Sequence, residues 1–442
     1  MKKRLCIILA AVLCFAGLSV SVSAAPPGEI SGSWQDGAFQ DGVYEGYYAQ
    51  LDPLQKVLYD EIGEAFAQPV LGAVIEFDEP IILKSEDGGS FTEDDKYQWM
   101  CDNMYNQYGG RYAVFRDHPE MPWLLAVDYG ARTLGEWICD DEGVSVGYRM
   151  TGMYYENMYP WVPPEAYIDP GALEKAADDA VAAIGRARPS RAATVRAIHD
   201  YLCGLVTYGE RSAVMPDRDG GKAHTVNYDH VSYSVLVAPN TGVCNAYAAA
   251  FKLLCDRYRI PCVHLSGATP YGNHAWNYVQ LENGIWYAVD VTWADKNPIE
   301  YSYFLTGKNS LNSEGVPFAE THAVPAGNDG LACPPLSDTA YPYVEARLGD
   351  IPVAVQPGEP ILLSLSEIRD LNGTMTDEGN VGLFEEYSTT PAAAGSIHNG
   401  SVSLYYDTAS STLGTGSHTL YIKCIDGSHA GAILAAVEIT IP

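Results

Sequence analysis

Three short runs hold residue types that together do covalent chemistry on a carbonyl. They are Thr241-Gly242-Val243-Cys244-Asn245-Ala246-Tyr247, Gly272-Asn273-His274-Ala275-Trp276 and Val289-Asp290-Val291-Thr292-Trp293. A thiol, an imidazole and a carboxylate follow one another, 30 and then 16 residues apart. In acyl transfer a thiol attacks the carbonyl, an imidazole takes and returns a proton, and a carboxylate orients the imidazole. Cys244, His274 and Asp290 are the candidate catalytic residues on this reading.

The elements that must position them are legible. Gly242 breaks the preceding structure, so Cys244 falls at a helix start, where free N–H groups and the dipole favour a thiolate and offer oxyanion donors. Tyr247, Phe251, Leu254 and Tyr258 then form one buried stripe, and Pro261 ends the helix. Strands are expected over 262–266, 273–281 and 285–291. A two-residue turn between the last two would put His274 and Asp290 on opposite faces. A three-residue loop, Glu282-Asn283-Gly284 with Gly284 left-handed, makes them diagonal neighbours on one face.

Upstream, helices are expected over 172–186 and from Ser190, a suitable N-cap. Leu54, Val57, Leu58, Ile62 and Phe66 show helical spacing within an α+β region ending near Trp161-Val162-Pro163-Pro164. From about residue 338, short alternating strands replace helix signals, which suits a β-sandwich. The domains read as a signal peptide 1–24, a linker 25–41, an N-terminal α+β domain 42–165, a catalytic domain 166–335 and an Ig-like β-sandwich 336–442.

Met1-Lys2-Lys3-Arg4, an apolar run from Leu5 to Leu18, and Ser21-Val22-Ser23-Ala24 have the form of a secretory signal cleaved after Ala24. The net charge of −30 argues against nucleic acid and anionic membrane surfaces. A secreted, extracellular or cell-surface location follows, with no membrane contact after signal cleavage. Eight cysteines remain in the mature chain: 101, 139, 203, 244, 255, 262, 333 and 424. None forms a CxxC pair, so no metal or other cofactor is expected. Asp217-Arg218-Asp219-Gly220 is too short for a calcium loop. Cys255 and Cys262 are near enough to bridge but read better as buried free thiols. His199 and His264 read as core or rim residues, His224 and His230 as flanking a loop that approaches the site, and His322 as packing behind the core.

Gly-Val-Cys-Asn-Ala-Tyr-Ala from 242, His-Ala-Trp-Asn from 274 and Trp-Tyr-Ala-Val-Asp-Val-Thr-Trp from 286 together resemble the transglutaminase-like superfamily, in its bacterial secreted branch. Asp200-Tyr201-Leu202, Val206-Thr207-Tyr208 and Tyr301-Ser302-Tyr303-Phe304-Leu305 extend the likeness over about residues 190–322. Ala246 stands where many relatives have Gly. The resemblance implies an α+β, papain-like core, with Cys244 on a helix packed against an antiparallel sheet bearing His274 and Asp290. It implies a Cys-His-Asp acyltransferase or peptidase forming a thioester from a peptide or glutamine amide, with an amine or water as acceptor. The substrate would be a protein or peptide, cell-surface or wall-associated. The rival reading is a catalytically silent binding or scaffold module at the cell surface, since fold alone does not imply activity.

Overall fold

A hairpin of β1 (Ala38–Gln40) and β2 (Val43–Glu45) opens the part of the chain that the structure, a computed structural model, describes. The described residues are 34–441 apart from 71, 86–87, 101–109, 127–128, 158–167, 210–212, 216–223, 227, 325–330, 351–357 and 412. The expected signal segment, the domain exit at 161–164, the acidic loop 217–220 and Cys101 lie outside them. The linker expected over 25–41 is structured at its far end: Trp34 meets the Trp286 ring edge-on at 5.7 Å.

Helix α1 (Pro53–Ala65) starts at a reciprocal cap. The Asp52 carboxylate accepts from the Gln55 N–H, the Gln55 side chain accepts from the Asp52 N–H, and Pro53 needs no partner. Its buried Leu58 and Ile62, with Phe66 just beyond, belong to the same apolar core as α2 (Gly110–Asp117). Strands β3 (Gly72–Lys84), β4 (Tyr129–Cys139) and β5 (Ser145–Asn157) form an antiparallel sheet with β5 central.

Helices α3 (Pro170–Ile184) and α4 (Arg191–Leu205) begin at Asp169 and Ser190, whose side chains accept from the N–H groups of Gly171 and Ala193. Helix α5 (Cys244–Arg257) lies on an antiparallel sheet of β6 (Cys262–Thr269), β7 (Gly272–Gln280) and β8 (Trp286–Val289). Asn277 pairs with Val289 and Tyr278 with Ala288, the register of the three-residue loop, and Gly284 is left-handed at φ 73°.

One expectation needs correcting. Helix α5 buries more than a stripe: every residue from Ala246 to Asp256 is buried. The sheet covers one side and β2 the other, where charge is neutralised in place. Lys252 Nζ donates to both Asp256 carboxylate oxygens, at 2.9 and 2.7 Å, and to the Tyr44 carbonyl at 2.9 Å. Asp256 in turn accepts from the Tyr44 N–H at 3.2 Å. Beside it, buried Asp117 accepts from the N–H groups of Tyr47 and Tyr48, and Arg116 donates to the His264 carbonyl at 2.9 Å.

The C-terminal part is sheet-rich. Strands β9 (Val344–Leu348), β10 (Pro360–Asp370) and β13 (Val402–Asp407) make one antiparallel sheet. The other holds β11 (Asn380–Phe384), β12 (Ala393–Ser396), β14 (Gly416–Cys424) and β15 (Ile433–Ile441). It meets the helical part through Arg196–Glu345 at 3.4 Å and through the Ala436 N–H donating to the Pro189 carbonyl. The chain is thus α+β, with helices packed on antiparallel sheets and a sheet-rich C-terminal region. Among the described residues no helix is long and apolar enough to cross a membrane.

Candidate functional site

Cys244 is the first residue of α5, half-buried, after an extended Val243 that offers no side-chain cap. Gly242 is required there by close packing. A Cβ on it would lie 2.8 Å from both Ala246 Cβ and Val235 Cγ2. The loop before α5 is tied back to it, since Asn245 Nδ2 donates to the His230 carbonyl at 2.7 Å and Val243 N–H to the Asp229 carbonyl.

His274, near the start of β7, is buried, as is Asp290, which directly follows β8 and caps the short helix α6 (Val291–Ala294). Their side chains meet as the hairpin register requires: His274 Nε2 lies 2.8 Å from Asp290 Oδ2. Asp290 Oδ1 accepts from the Trp293 N–H at 3.1 Å. A further histidine is present. His322, just after α7 (Phe318–Thr321), places its Nε2 3.0 Å from the same Asp290 Oδ2. Its Nδ1 is 2.9 Å from Thr321 Oγ1, and its ring stacks on Phe318 at 4.1 Å. Trp293 and Trp276 close the shell around both imidazoles.

The electrostatics follow from this sharing. Burial alone pushes the Asp290 carboxyl up, but the hydrogen bonds from His274 and His322 outweigh it and hold the group well below the carboxylate range. Burial works against a charged His274 as well. Asp290 and then Cys244, both hydrogen-bonding partners of the imidazole, nevertheless raise it to about 9. His322 is lowered, because burial disfavours its charge more than Asp290 restores it and His274 opposes it.

This arrangement corrects the functional expectation. The group whose ligand atoms converge, all within 4.8 Å of one another, is His274, Asp290 and His322. Cys244 is outside that group and touches it only through His274. The Cys-His-Asp unit read from spacing, and the thioester-forming acyltransferase or peptidase built on it, give way to a His-Asp-His cluster. The reason is that the carboxylate is shared between two imidazoles instead of serving one. Sequence reading placed His322 behind the core and missed its bond to Asp290, 32 residues away. The only local signal was a histidine following an aromatic residue by four.

The other histidines stand nearer to expectation. His199 and His264 are buried in the core, and His230 belongs to the loop that reaches α5. Cys255 and Cys262 are buried and free.

Residues 179–291 match the transglutaminase-like superfamily. No curated protein matches the chain. Among solved structures, the chain is similar at 17% identity to a putative cysteine protease from Cytophaga hutchinsonii, covering 37% of this chain and 65% of that one, with a TM-score of 0.20. It is similar at 14% identity to a TGase, covering 48% and 51%, with a TM-score of 0.22. A periplasmic domain of TgpA from Pseudomonas aeruginosa is 18% identical over 38% of this chain and 66% of that one, with a TM-score of 0.20. The chain therefore spans from about half to two thirds of these structures, and superpositions this loose carry no argument about function. The family match and the sequence motifs agree on the same segment: residues 179–291 form a domain of the transglutaminase-like superfamily.

Proposed function

We propose that the chain is a catalytically silent transglutaminase-like module that binds or scaffolds a protein or peptide partner at the cell surface. The surface around Cys244 and His274, held from beneath by Asp290, is its recognition site. The observation that carries this reading is the shared carboxylate. Three N–H donors, from His274, His322 and Trp293, are committed to the two oxygens of a fully buried Asp290. The thiol stands outside that closed cluster. Around it lies an aromatic rim suited to contact rather than chemistry. Tyr271 is 85% exposed and leans on Trp293, and Tyr208 is 60% exposed and leans on Tyr247.

The packing of α5 on β6–β8 supports a papain-like core within 166–335, and the two C-terminal sheets support an Ig-like sandwich over 336–442. The basic start and apolar run of residues 2–24 support export, which is where a cell-surface partner would be met.

The test compares wild type and Cys244→Ala for two readouts: label incorporation or peptide release from cell-surface proteins offered with a labelled amine, and retention of those proteins on immobilised chain. Background-level turnover in both is expected, with clear retention by wild type and a reduced but remaining retention by Cys244→Ala, which trims one side chain of the recognition surface. Turnover that disappears in Cys244→Ala overturns the reading.

A further inference from the structure

We infer that His274, Asp290 and His322 form a binding site for one borderline divalent transition-metal ion, of which Zn²⁺ is the probe. Two imidazole nitrogens and a carboxylate oxygen are the donor set such ions take. The three residues are 7%, 0% and 3% exposed, and both Nε2 atoms already address the same oxygen. Each ring is also oriented from its surroundings, as metal-binding imidazoles are. His322 Nδ1 is held by Thr321 Oγ1 at 2.9 Å, and His274 has Cys244 as a second hydrogen-bonding partner. The rings of Trp276, Trp293 and Phe318 pack around the cluster.

The change needed is a local shift of three side chains, in which the imidazole nitrogens, within 4.8 Å of each other, draw together as the N···O pairs open. The N···O separations are 2.8 and 3.0 Å. Ligands about 2.0–2.1 Å from a tetrahedral ion stand roughly 3.3 Å apart, so the pairs must open by a few tenths of an ångström. The ion takes the place of the proton that charged His274 holds toward Oδ2, which leaves the cluster as the metal enters, while neutral His322 then carries its single ring proton on Nδ1, facing Thr321 Oγ1. Asp290 Oδ1, now bonded to the Trp293 N–H, is the second oxygen of the same carboxylate and could complete the coordination. The inference is independent of whether the module is silent, because it concerns Asp290 and not the thiol.

The experiment uses the full mature chain, freed of metal by chelator and titrated with Zn²⁺ alone, with bound metal counted after gel filtration. One tightly held ion per chain is expected in wild type and in Cys244→Ala, with affinity at least tenfold weaker in His322→Gln. Circular dichroism checks that the variant is folded. Independently, Co²⁺ bound to wild type should give the visible spectrum of a nitrogen–oxygen site. Absence of a stoichiometric ion, equal affinity in folded His322→Gln, or a thiolate-to-cobalt charge-transfer band would each overturn the site.

Discussion

Replacing Lys252 by Met tests how the N-terminal hairpin is fastened to α5. Methionine keeps the length of the side chain and removes only the ammonium group. That group makes three hydrogen bonds, two to Asp256 and one to the Tyr44 carbonyl, with no solvent exposure. Deleting one partner of a buried pair costs about 3–5 kcal/mol, because the other charge is stranded. Here the loss belongs near the lower figure. Burial already raises Asp256 to about 7 even with Lys252 opposing it, so a stranded Asp256 takes up a proton at neutral pH instead of staying charged. Adding Asp256→Asn removes the stranded acid and keeps an oxygen for the Tyr44 N–H. The double variant should then recover about 1–2 kcal/mol of the single loss. Urea unfolding followed by tryptophan emission reads this directly, since Trp34 meets Trp286 edge-on and Trp286 lies against Tyr44. A double variant no more stable than Lys252→Met would refute the pairing as the fastening.

Acidity should stabilise the fold. Burial lifts Asp117 and Asp256 from 3.8 to about 6 and about 7, so the folded chain holds protons that the unfolded chain has lost. Their contribution therefore falls as pH rises from about 4 to about 7. His118, opposed by burial but raised to about 10 by Glu120 and Glu45, adds stability below pH 6.5 that fades as pH climbs through 10. Melting temperature across pH 4–10 checks both, and a maximum on the alkaline side would contradict them. Gly242→Ala should cost about 1–3 kcal/mol through overpacking against Ala246 and Val235, read by thermal melting, whereas Gly284→Ala should act through its left-handed backbone alone. Asp290→Asn should lower the His274 imidazole from about 9 in an NMR titration; an unmoved value would mean that Cys244, not Asp290, holds its charge.

Local signals carried far into this structure where the cause was local. Ser190 and Asp169 cap helices because their side chains reach N–H groups two or three residues on. The loop 282–284 sets the β7–β8 register because only Gly suits its third position, and that register puts His274 and Asp290 on one face. What escaped was set by distant chain. The stripe 247, 251, 254, 258 describes one side of α5, while the other side is buried by Tyr44, which no periodicity near 250 can announce. Lys252 and Asp256, which look like a solvated pair, are buried for that reason. The second histidine on Asp290 escaped likewise. Spacing suggests three partners in order along the chain, but a carboxylate with two oxygens accepts from whatever the fold delivers, and α7 delivers His322.

The fastening of β2 also dictates an order of assembly. Tyr44 finds its partners 208 and 212 residues later, at Lys252 and Asp256. The first described strands must therefore wait for more than 200 further residues before they can seat, since Tyr44 is 208 residues from Lys252, and such long closures slow folding. They enter behind α5 like a cork, against Lys252 and Asp256 in its second half. A fragment cut at residue 166, where composition suggests a natural boundary, would leave Lys252, Asp256 and Val263 without that cover. The catalytic-looking face of this protein is thus not portable without its first hundred residues.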